Sequence, residues 1–108
     1  MIRANMASAQ TTPTLVGSVA PGSGSTATNV TANVDAGTYL IQTAVYGATT
    51  FTSIAVTLDG NAVTPSVLVA PSSGNTIGAW YVDIPSSGSL SVTINLPDGF
   101  SGLTVTAV

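Results

Sequence analysis

Leu90-Ser91-Val92-Thr93-Ile94-Asn95-Leu96 decides the fold. Large aliphatic residues take every second position, and the positions between carry only hydroxyl or amide side chains. A period of two belongs to a β-strand with one buried face, because successive side chains point to opposite sides. Pro97-Asp98-Gly99 ends the run and Pro85-Ser86-Ser87-Gly88 precedes it, both turn clusters.

The same grammar repeats outward from this strand. Residues 100–108 place Leu103, Val105 and Ala107 on one face, and residues 77–84 run into the Pro85 turn. Residues 53–58 put Ile54, Val56 and Leu58 together, followed by Asp59-Gly60-Asn61. Asp-Gly between alternating runs is a strong hairpin signal. Residues 62–70 then read as the return strand, with Pro65 demanding an edge position or a bulge. Residues 28–34 alternate Val30, Ala32 and Val34 against Asn29, Thr31 and Asn33, and residues 15–20 form a further strand before Pro21-Gly22-Ser23-Gly24. Residues 38–46 differ: Tyr39, Ile41 and Val45 face one way while Leu40, Ala44 and Tyr46 face the other. That pattern predicts a central strand covered on both sides.

No segment carries a helical stripe. About seven or eight short antiparallel strands joined by Gly/Pro/Ser turns predict an all-β fold, a single β-sandwich with Greek-key or jelly-roll connections. A small closed barrel is the runner-up. Residues 1–13 have neither periodicity and read as an extended N-terminal arm, leaving 14–108 as the sandwich domain. The arm either adds an edge strand to its own domain or lies on a neighbouring subunit. Its opening residues lack the apolar run of a signal peptide, and no stretch approaches the ~20 apolar residues of a spanning helix.

Composition removes most functions. Across 108 residues there is one Lys or Arg, four Asp or Glu, no His and no Cys; charged residues make up 5%. An average soluble domain holds roughly 25%. The chain therefore lacks an imidazole base, a thiolate and a Schiff-base lysine. One cation cannot neutralise a phosphate backbone, so nucleic acid is excluded as a partner. Serines abound without a base to activate them. The acids Asp35, Asp59, Asp83 and Asp98 are at least 15 positions apart, and three sit in turns where Asp caps its own backbone. Two turns at one end of a sandwich could still bring a pair together. The expectation is a non-enzyme with no catalytic, cofactor-binding or metal-binding residues and no membrane partner.

A surface coated with Thr and Ser lacks the mixed charges that keep monomers apart and guard strand edges. Such a surface fits a chain covered by neighbouring subunits. The predicted contacts are Ile2 and Met6 of the arm with Tyr46, Phe51 and Tyr81 as anchors, and Arg3 pairing with a neighbour's carboxylate. Trp80 and Tyr81 must point to opposite faces, Trp80 into the core and Tyr81 outward. Tyr81 beside Asp83 also has the make-up of a sugar-stacking platform, so a glycan is a second possible partner.

Two stretches carry a resemblance: Ser53-Ile54-Ala55-Val56-Thr57-Leu58-Asp59-Gly60-Asn61-Ala62-Val63-Thr64, and Ala79-Trp80-Tyr81-Val82-Asp83-Ile84-Pro85 running through Gly88 into Leu90-Ser91-Val92-Thr93-Ile94. Together they resemble small β-sandwich structural proteins of tailed bacteriophages, such as head decoration and fibre proteins, over roughly residues 37–108. The resemblance implies an Ig-like or jelly-roll fold and a capsid decoration or minor capsid subunit. It also implies a homo-oligomer or a capsid or tail protein as partner, and a place in the virion after assembly in the host cytoplasm. It carries over no functional residue. The alternatives are a carbohydrate- or receptor-binding module of a fibre or adhesin, and a surface-layer or pilus-like domain.

Overall fold

A computed structural model of the chain describes residues 13–20, 27–48, 53–72, 74–96 and 98–108. The described residues form nine strands and no helix: β1 (Thr14–Val19), β2 (Ala27–Val34), β3 (Gly37–Ala48), β4 (Ser53–Leu58), β5 (Asn61–Ala62), β6 (Ser66–Val69), β7 (Gly74–Ile84), β8 (Gly88–Asn95) and β9 (Phe100–Ala107). They make a five-stranded sheet, β1-β9-β3-β7-β6, and a four-stranded sheet, β2-β8-β4-β5. Every pairing is antiparallel. The pairs β1·β9, β2·β8, β3·β7 and β4·β5 nest inside one another, so the chain is a long antiparallel ribbon rolled into two sheets. That is the jelly roll, with β6 added outside β7. Two separate sheets with edge strands replace the closed barrel held as runner-up.

Alternation builds the core as the sequence predicts. In the four-stranded sheet Val30, Val92 and Val56 share one register row, and Ala32, Leu90 and Leu58 another. Across from them, Ile41 lies between Trp80 and Val105, and Thr43 beside Leu103. Ile41, Val45, Val92, Ile94 and Val105 are fully buried, and Trp80 is buried with them. Each such side chain contributes about 1.5–3 kcal/mol by leaving water. With so few charges available, this term dominates the fold. The polar groups inside are satisfied. Thr28 Oγ1 donates to the Ser101 carbonyl at 3.2 Å, and Thr43 Oγ1 to the Gly102 carbonyl at 2.7 Å. The Tyr39 hydroxyl donates to the Asp35 carbonyl at 2.6 Å.

The Asp59-Gly60 turn forms as predicted, with φ of 51° and 83°. Positive φ at both central residues is what a two-residue hairpin needs to match strand twist. The return strand differs from expectation. Residues 62–70 do not run as one strand. β5 stops after two residues, Pro65 interrupts the ladder, and β6 resumes on the edge of the other sheet. Proline lacks the N–H that a continuous ladder would require, and the break turns one predicted strand into two. This division raises the count to nine.

β3 also departs from the prediction. It is central, between β9 and β7, and Tyr39, Ile41 and Val45 are buried. Its opposite side is not covered by anything in the described chain: Leu40 and Ala44 are half-buried and Tyr46 is exposed. The predicted arm lies outside the described residues, apart from Pro13.

Candidate functional site

The outward side of the four-stranded sheet is mainly polar, and at its centre the polar side chains bond one another. Register places Asn29 beside Thr93 and Thr31 beside Ser91. The Asn29 side-chain amide donates to Thr93 Oγ1 at 2.8 Å, to Ser91 Oγ at 3.0 Å and to the Val92 carbonyl at 3.1 Å. Thr31 Oγ1 donates back to Asn29 Oδ1 at 2.8 Å. These side chains satisfy one another and need no partner.

The outward side of the five-stranded sheet is built differently. One row across it reads Leu15, Thr106, Leu40, Tyr81 and Ser66 on β1, β9, β3, β7 and β6. The next reads Ser18, Thr104, Gln42, Ala79 and, on β6, Val69. A third sets Gly102 beside Ala44 and Ile77. Leu15 and Ile77 are 61% and 65% exposed, and Tyr46 and Tyr81 both 38%. Val67, Leu68 and Val69 on the β6 edge are exposed as well. Isolated exposed aliphatic residues are ordinary, but a contiguous set on one face marks an interaction surface.

A groove of about 560 Å³ crosses this face. Its floor is small, formed by Ala44, Ala79 and Gly102, and Gln42 and Thr104 stand on it. Ile77 and Val69 line its β7–β6 side and Ser18, Val19 and Ala20 its β1 side, while Tyr46 stands on the central β3 two positions beyond Ala44. The Ser18 and Thr104 hydroxyls are 3.5 Å apart. Among the described residues no carboxylate and no cationic side chain lines the groove. Its chemistry is apolar contact, stacking and neutral hydrogen bonding.

A second cleft, about 430 Å³, lies at the turn end of the sandwich and gathers Asp35, Asp59, Ser87 and Ser89. Two turn acids thus meet at one end, as the sequence allowed. Both already act as structural acceptors. Asp59 Oδ1 takes the Ser89 N–H at 2.8 Å, and Asp35 Oδ1 takes the Ser87 hydroxyl at 3.4 Å. The Asp59 N–H donates in turn to the Ser89 carbonyl at 2.9 Å. Among the described residues no three His, Cys, Asp or Glu side chains gather to hold a metal.

Of the predicted contact residues, Tyr46 and Tyr81 reach the same open face, Tyr46 at the groove and Tyr81 outside it. Ile2, Arg3, Met6 and Phe51 lie outside the described residues. Asp83, two positions beyond Tyr81, accepts the Thr38 hydroxyl at 2.7 Å, so one of its oxygens is already engaged. Sequence reasoning passed over Leu15, Gln42, Val69 and Ile77. Ile77 had a signal: it stands two and four positions from Ala79 and Tyr81, in phase with both and out of phase with Trp80.

No protein-family model matches the chain, and a search of curated proteins gives no match. Among solved structures it has a loose likeness to a family 35 carbohydrate binding module from Clostridium thermocellum. The identity is 14%, over 86% of this chain and 98% of that one, with a TM-score of 0.43. A likeness at this level carries no argument about ligand or partner.

Proposed function

We propose that the protein is a non-enzymatic structural subunit of a phage-like particle, a capsid decoration or minor capsid protein. It docks on its neighbours through the outer face of its five-stranded sheet. The observation behind this reading is the contrast between the two outer faces: on one, Asn29, Thr31, Ser91 and Thr93 bond one another, and the other leaves Leu15, Ile77 and Tyr81 exposed and Leu40 half-buried. Exposed Tyr among aliphatic residues has the make-up of an interface centre. In this reading the chain belongs to the virion, is assembled in the host cytoplasm, and has copies of itself or a capsid or tail protein as partners. The test is sedimentation of the full chain, alone and mixed with particles. Oligomers or particle-bound protein that persist in high salt support the reading, and a salt-independent monomer under both conditions overturns it.

A second reading is a carbohydrate- or receptor-binding module of a fibre or adhesin. The groove beside Tyr46 favours it, since such a groove accommodates a small ligand as well as it accommodates a protein surface. A glycan array probed with the wild-type chain and with Tyr81→Ala separates the readings. Signal above blank supports recognition, and its loss in the variant places the ligand on Tyr81; a flat array supports scaffolding.

A further inference from the structure

We propose that the groove between Tyr46 and Gln42 binds an uncharged saccharide. This rests on the second reading above and moves its site from the Tyr81–Asp83 pair to the groove. The volume of about 560 Å³ falls within the roughly 300–1,000 Å³ of small-ligand sites.

Chemistry narrows the occupant. None of the four aspartates lines the groove, and the chain's formal net charge is −3. Among the described residues an anionic ligand finds no counter-charge there, and the net charge of the chain repels it, while a cationic one finds no carboxylate to pair with. The polar groups exclude a purely apolar ligand. Gln42 is exposed and its side-chain amide makes no hydrogen bond among the described residues. Dry contact would strand that amide, since the nearby Ser18 and Thr104 hydroxyls are engaged with each other. An added peptide strand would pair at a sheet edge and not on the groove floor: β9 and β3 are flanked by strands on both sides, and the ladder of β7 that β6 leaves open before Ala79 lies along the edge.

What remains is a neutral molecule with an apolar face and a polar rim. A pyranose is built this way, with C–H groups on its faces and hydroxyls around its edge. Its C–H face packs on the Tyr46 ring and against Ile77. Its hydroxyls meet Gln42, whose amide both donates and accepts, and Thr104. Ala44 and Ala79 keep the floor low enough for a ring to lie flat.

The experiment is a calorimetric titration of the full chain with neutral gluco-, galacto- and manno-oligosaccharides and with sialylated and uronic-acid oligosaccharides. Gln42→Ala, Tyr46→Ala, Tyr46→Phe, Tyr81→Ala and Thr93→Ala are run in parallel, each checked for an unchanged melting transition. The expected result is binding of at least one neutral series and none of the acidic ones. Gln42→Ala and Tyr46→Ala each weaken it about tenfold, and Tyr46→Phe, Tyr81→Ala and Thr93→Ala leave it within about twofold. Binding that survives Gln42→Ala and Tyr46→Ala but disappears in Tyr81→Ala overturns the groove assignment and leaves the recognition reading standing. A preference for acidic sugars overturns the ligand class. No saccharide binding at all overturns the proposal and the carbohydrate form of the second reading, without touching the structural-subunit reading.

Discussion

The two outer faces of this jelly roll share one backbone architecture and differ in chemistry. On the four-stranded sheet, Asn29, Thr31, Ser91 and Thr93 spend their hydrogen-bonding groups on one another. On the five-stranded sheet, Leu15, Ile77 and Tyr81 stand outward and exposed, with Leu40 half-buried among them. A protein with almost no ions has two ways to finish a sheet surface. It can let neutral polar groups satisfy each other, or it can bury the surface against something else. The four-stranded sheet shows the first, and under the proposed function the five-stranded sheet takes the second.

Single substitutions test this difference between the faces. The largest effect comes from beneath both faces. Trp80→Ala removes the one Trp, which is buried in the shared core, and is expected to cost about 3–5 kcal/mol in urea unfolding. Both surfaces are lost together in that variant. Ile77→Asp places a charge on the open face. It is expected to weaken partner association by about 2 kcal/mol, roughly thirtyfold, while stability stays within about 0.5 kcal/mol. Wild-type association itself is expected to change little between low and high salt, because the residues assigned to drive it, Leu15, Ile77 and Tyr81, carry no charge. Asn29→Ala on the closed face has the reverse signature: a stability loss of about 1 kcal/mol by thermal melting and unchanged association. Thr57→Lys, also on the closed face, is the smallest. It shifts stability by no more than about 0.5 kcal/mol and leaves association intact, whereas a loss of association would place the partner on the wrong sheet.

Much of this was legible in the sequence. The period of two in residues 90–96, the alternation in 28–34 and the Asp59-Gly60 turn fix strands and connections through local chemistry, and local chemistry is what a sequence displays. The split at Pro65 was half legible: proline announced a disturbance, but its outcome, a strand handed to the other sheet, depends on where β7 has its free edge. The outward apolar residues of β3 were legible as apolar but were read as covered, since sequence does not say whether a cover comes from the same chain. The groove was not legible at all. Ser18, Gln42, Ile77 and Thr104 come together only through the registers of β1, β3, β7 and β9, and no local pattern encodes that meeting.

Hydroxyl-radical footprinting of the full chain tests the central claim most directly, with the free protein compared against the same protein assembled on its particle. The account predicts that Leu15, Tyr46, Ile77 and Tyr81 become protected on assembly while Val63, near the Asp59 turn of the other sheet, keeps its free-state reactivity. Protection of Val63 with continued labelling of Ile77 and Tyr81 contradicts it.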